Sequence, residues 1–197
     1  MKIRILNWSV LVVIALLTVA CSTNKTTTEE TDTVEEDVEE VEDKSKRPSP
    51  PATSTANVNG TNITMDYSSP AVNGRPVWGD LVAYDKVWRT GANEANVLTV
   101  DKDITINGET VAAGQYSLFT IPSDGDWTVI LNKVVDQWGA YDYDDSQDAL
   151  RFMVTPETTD SAAERLMFDV SSEGTVSFAW ADLTFSFEVM SADSSAE

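Results

Sequence analysis

Beyond residue 51, apolar and polar positions alternate in short runs broken by turn signals, the pattern of half-buried strands. Residues 53–58 and 61–67 flank Asn59-Gly60, and residues 104–106 and 109–111 flank Asn107-Gly108. Asn-Gly between alternating runs predicts a tight hairpin, because both positions tolerate the positive φ that such a turn requires. In the second run Ile63, Met65 and Tyr67 share one face and Thr64 and Asp66 take the other. Residues 115–121, stopped by Pro122, and residues 127–132 predict a third hairpin across Ser123-Asp124-Gly125-Asp126. Residues 150–155, 165–170, 175–181 and 184–189 complete the set, with a last turn at Asp182. No long 3.6-residue apolar period occurs; only residues 79–86 and 147–151 have room for a helical turn or two. The expected fold is all-β: an antiparallel β-sandwich, jelly-roll-like or Ig-like, of about nine or ten short strands.

The chain ahead of these runs is of a different kind. Lys2 and Arg4 precede an apolar run over residues 10–20, too short to span a bilayer comfortably but suited to the core of an export signal. Cys21 follows directly and resembles the cysteine of a bacterial lipobox, with Leu17 one place earlier than usual and Thr18 in its stead. Residues 1–20 are therefore expected to be a lipoprotein signal peptide and Cys21 the lipidated residue. Residues 21–51 are acidic and then proline-rich, without an aromatic before the domain, and are expected to be a disordered tether. The sandwich domain is placed at residues 52–190, with a flexible tail at 191–197.

Charge and residue usage narrow the chemistry. The chain of 197 residues has 33 acidic against 13 basic residues and a net charge of -20. Such a field repels phosphate backbones, so no nucleic acid partner is expected. Histidine is absent, which removes Ser-His-Asp and Cys-His catalysis and His-ligated zinc. Cys21 is the single cysteine, so no internal disulfide can form.

Residues 87–96, Val87-Trp88-Arg89-Thr90-Gly91-Ala92-Asn93-Glu94-Ala95-Asn96, concentrate an aromatic, a guanidinium, amides and a carboxylate. Together with Arg47-Pro48-Ser49-Pro50, Gly74-Arg75-Pro76-Val77-Trp78-Gly79, Gly114-Gln115-Tyr116-Ser117-Leu118-Phe119 and Gln137-Trp138-Gly139-Ala140-Tyr141, they make the chain resemble the bacterial DUF2911 family. The resemblance implies an exported, β-rich single domain without an assigned activity, and it carries no catalytic residues over.

The candidate ligand site is Trp88, Arg89, Asn93 and Glu94, with Gly91 for a tight bend, and with Arg75, Trp78, Trp138 and Tyr141 nearby. Such a set can stack on a sugar ring, fork onto an oxyanion and take hydroxyls. The structural alternative is an internal Arg89–Glu94 ion pair pinning a long loop, with Trp88 in the core. The acidic run at Asp142, Asp144, Asp145 and Asp148 departs from an EF-hand loop, since Met153 stands where the bidentate glutamate belongs. No metal, cofactor or catalytic residue is expected. The expected role is a lipid-anchored envelope protein, in the outer membrane, binding a glycan or small polar ligand without catalysis. Two other readings stand beside it: a hydrolase or isomerase using Glu94 and Arg89, and a purely structural envelope protein.

Overall fold

A computed structural model of the chain describes residues 42–192. The expected signal peptide, Cys21, the expected tether up to residue 41 and the end of the expected tail lie outside the described residues. Eleven strands run through the domain: β1 (Pro51–Val58), β2 (Thr61–Ser68), β3 (Asn96–Val100), β4 (Ile104–Ile106), β5 (Glu109–Val111), β6 (Gly114–Ile121), β7 (Trp127–Asn132), β8 (Asp148–Val154), β9 (Glu157–Val170), β10 (Thr175–Glu188) and β11 (Met190–Ser191). All pairings are antiparallel: a six-stranded sheet of order β1-β2-β3-β6-β7-β8, a β9–β10 hairpin, and a small sheet of order β11-β4-β5. The expected all-β sandwich is the observed class.

The Asn-Gly hairpins form as predicted. Asn59 and Gly60 take φ 49° and 85°, and Asn107 and Gly108 take 52° and 83°. Inward positions of the large sheet, among them Ile63, Met65, Leu98, Leu118 and Val129, share one core with Phe168, Phe178, Trp180 and Phe187 of the β9–β10 hairpin. The small sheet adds Ile104, Ile106 and Val111 to the same core. Because side chains alternate across a strand, Phe119 and Ile130 face the other way. There they form a second cluster with Ala95, against which Val87, Ile121, Ala140 and Tyr143 pack. In the loop that carries Arg89, Val87 packs on this outer cluster while Trp88 packs against the main core.

Three expectations are corrected. β3, in the interior of the large sheet between β2 and β6, has no counterpart among the expected strands. Asp182 marks no turn: β10 runs through it, with bulges between Ala179 and Ala181 and between Ala181 and Leu183, where Ala181 takes φ 51°. Residues 79–86 form turns and no helix, and the helical reading of 147–151 reduces to a 3-10 turn at Asp145–Gln147 followed by β8. At the margins, Pro51 already belongs to β1, and Ser191 pairs with Ile104.

Candidate functional site

Between β2 and β3 the chain runs from residue 69 to 95 without a regular strand, unusually long for a connection inside a compact domain. It is held down at intervals. Trp88 exchanges two backbone hydrogen bonds of 2.8 Å with Thr120 of β6. Further on, Ala95 N–H donates to the Gln137 carbonyl at 2.8 Å, and Gly139 N–H to the Asn93 carbonyl at 3.0 Å. The tight bend falls on Thr90 (φ 56°) and Asn93 (φ 58°), not on Gly91. Gly91 is required for another reason: a Cβ there would stand 2.9 Å from Asn96 Oδ1 and 3.3 Å from the Ser68 carbonyl oxygen. Asn96 is fully buried and donates to the Thr90 carbonyl at 2.8 Å, which closes the bend.

Arg89 does not pair with Glu94. The Glu94 carboxylate instead accepts from Arg47 Nη1 at 2.9 and 3.0 Å and from Lys44 Nζ at 2.9 Å. Arg47 is bonded on its other side by Glu42 and lies 5.7 Å from the Trp138 ring centre. Burial raises the Glu94 pKa, but the hydrogen bonds from Lys44, its own backbone and Arg47 outweigh it and bring the pKa down to about 2. Asn93 is likewise occupied, donating to the Ser49 carbonyl at 2.9 Å and to Ser68 Oγ at 3.2 Å. Asn93, Glu94 and Trp138 therefore form a clasp on the segment around Arg47. A cleft of about 220 Å³ beside it includes Lys44, Arg47, Asp66, Tyr67 and Glu94 in its walls.

Arg89 is placed differently. Among the described residues it makes no hydrogen bond and no ion pair, and its Nε is buried without a partner. Burial lowers its pKa from the ordinary value, opposed by the Tyr141 phenol. Arginine stays charged regardless, so the site holds a cation short of a counter-charge. Two clefts share Arg89 and Trp88. One, of about 240 Å³, also includes Arg75, Leu81 and Trp180 in its walls. The other, of about 280 Å³, adds Val87, Ala140 and Tyr141. Arg75 donates to the Ala71 carbonyl at 2.6 Å and to the Val72 carbonyl at 2.9 Å, so its fork is aimed by backbone and its charge is not neutralised there.

Two candidate aromatics serve the core. Trp78 packs edge-on against Trp88, Trp127 and Trp180, with its Nε1 donating to Asp182 at 3.0 Å. One side of Trp88 is stacked on Trp180 at 5.8 Å between centroids, which leaves less of its face for a ligand than its sequence position suggested. Tyr141 is 83% exposed and free to offer a ring face. Sequence reasoning missed Trp180, which reads as an inward strand position, and missed Arg47, which reads as part of a proline-rich joint. In the acidic run, Asp148 accepts from Asn132, Tyr143 and Arg151, and Asp144 accepts from the Ser146 N–H. Those two carboxylates are spent on local structure, and the described residues contain no group of three metal-ligating side chains.

The family described as protein of unknown function DUF2911 matches residues 49–189. The chain belongs to the DUF2911 family. No curated protein and no solved structure matches it. The match begins at Ser49, so the DUF2911 region takes in the Ser49 carbonyl that Asn93 holds, while Arg47 and Lys44 lie just ahead of it.

Proposed function

We propose that this DUF2911 domain is a non-catalytic binding module of the bacterial envelope, anchored through a lipid on Cys21 in the outer membrane and holding a glycan or small polar ligand at Arg89. One observation carries the reading: a half-buried guanidinium without a hydrogen-bond or ion-pair partner in the described chain borders two adjoining clefts. Burying an unpaired charge costs stability, and proteins tolerate that cost where a ligand supplies the partner. The clefts also suit the role, with Trp88 and Tyr141 as aromatic walls and Arg75 as a second donor.

A hydrolase or isomerase using Glu94 and Arg89 needs both side chains on one cleft. Glu94 borders the clasp cleft, Arg89 the other two, and the carboxylate is held by two cations. The test is a thermal-shift screen of the mature protein against oligosaccharides and small acids, repeated on Arg89→Ala. The expected result is a stabilising ligand whose effect the substitution removes. A full screen in which wild type and variant behave alike counts against the reading.

A further inference from the structure

Among the described residues, neither of the two Arg89 clefts has an aspartate or glutamate in its lining, although the chain carries 33 acidic residues against 13 basic ones. In a protein this acidic, two arginines bordering a carboxylate-free cleft form a local exception to the overall field. Arg89 leaves its donors unused among the described residues. The indole Nε1 of Trp180, in a side chain only 1% exposed, is a second buried donor without a partner among the described residues, and Trp180 borders the same cleft as Arg75 and Arg89.

The site thus offers unused donors and positive charge and, among the described residues, no carboxylate. A neutral sugar brings hydroxyls that donate as well as accept, whereas a carboxylate only accepts. A planar carboxylate can meet the Arg89 guanidinium with two parallel N–H···O bonds. Clefts of about 240 and 280 Å³ are small beside the ~300 Å³ lower end for drug-sized ligands, enough for a single ring in each. The exposed Tyr141 ring beside the second cleft supplies a face for a pyranose.

We infer that the occupant is an acidic sugar residue, a pyranose whose carboxylate seats on Arg89 with Arg75 behind it and whose ring lies along Tyr141. The inference rests on the binding function proposed above and specifies its ligand class. It also assigns roles: Arg89 fixes the charge, Arg75 steadies the anion from its backbone-held fork, and Tyr141 selects for a ring.

Titration calorimetry on the full mature chain tests it with three probes: trigalacturonate, its fully methyl-esterified form and neutral maltotriose. Trigalacturonate is expected to bind at least about tenfold more tightly than the ester, since esterification removes the charge that the arginine fork recognises. Its affinity should fall with added salt, and Arg89→Met and Arg75→Gln should each weaken it while the variants still unfold in one cooperative thermal transition. Equal binding of acid and ester overturns the acidic-sugar inference and leaves the binding module standing. Binding of trigalacturonate that Arg89→Met does not change overturns the placement of the carboxylate. Failure of all three probes to bind overturns the inference, and the broader screen described above then decides the binding reading separately.

Discussion

Arg47 grips Glu94 through one nitrogen, Nη1, at 2.9 and 3.0 Å, across 47 positions of sequence. The contact separates two side chains that stand five residues apart in the same loop: Glu94 is drawn to the clasp, and Arg89 is left without a partner among the described residues. It also draws the segment ahead of β1 onto the domain, where Asn93 and Arg165 hold the Ser49 and Pro48 carbonyls. That segment supplies Ser49 to the wall of the Arg89 cleft, so the clasp shapes the site without entering it.

The clasp has a defined pH signature. Glu94 has a folded-state pKa of about 2 against an ordinary 4.5. A carboxyl depressed by folding stabilises the fold above its unfolded pKa and loses that contribution as pH falls through the folded value. The stability difference between wild type and Glu94→Gln should therefore be constant from neutral pH down to about 5, then shrink between about 4.5 and 2. Urea midpoints of both proteins across that range measure it. A gap that widens on acidification contradicts the assignment.

Arg89→Met should stabilise the free protein. It replaces a half-buried charge that has no counter-ion with an apolar side chain of similar length. The expected gain is about 1 kcal/mol, seen as a rise of a few degrees in Tm, with ligand binding lost. A fall in Tm of that size would instead make Arg89 a structural pin.

Gly91→Ala should destabilise despite adding only one methyl group. Its Cβ would press on Asn96 Oδ1 at 2.9 Å and on the Ser68 backbone at 3.3 Å, and Asn96 is fully buried. A loss of about 2 kcal/mol in denaturant unfolding is expected. Gly108→Ala makes the contrast: nothing lies within 4 Å of its Cβ, and its cost should come from φ 83° alone.

Cys21→Ser should move the protein from the membrane fraction to the soluble fraction of fractionated cells and abolish labelling by a fatty-acid analogue. Continued membrane retention with no label would remove the lipid anchor from the proposal.

The parts of the fold that were legible are those whose signals are local. Asn59-Gly60 and Asn107-Gly108 specify their hairpins through backbone conformations open to those two residue types. Period-two alternation in residues 61–67 and the short apolar run in residues 127–132 predict strands that the sheet then pairs. β3 escaped because Asn96 opens it, and Asn96 is a loop-forming type whose fully buried position follows from its bond to Thr90. Asp182 misled because a turn and a bulge both use a positive-φ residue, here Ala181, and only the partner strand distinguishes them. In the site, the richness of residues 87–96 was visible, but their division was not: Glu94 and Asn93 went to the clasp, Trp78 to the core, and Arg89 to the clefts.

By itself the sequence determined the all-β class, the positions of the tight hairpins and the lack of histidine and disulfide chemistry, because turn geometry, alternation and composition act over a few residues or over none. Only the tertiary structure decided which charge meets which. Lys44 and Arg47 reach Glu94 across 50 and 47 positions, and Trp180 of β10 comes to border the same cleft as Arg89, arrangements set by how the chain packs rather than by neighbouring residues. An arginine is the same letter whether its carboxylate lies nearby or is missing, and folding alone makes that difference.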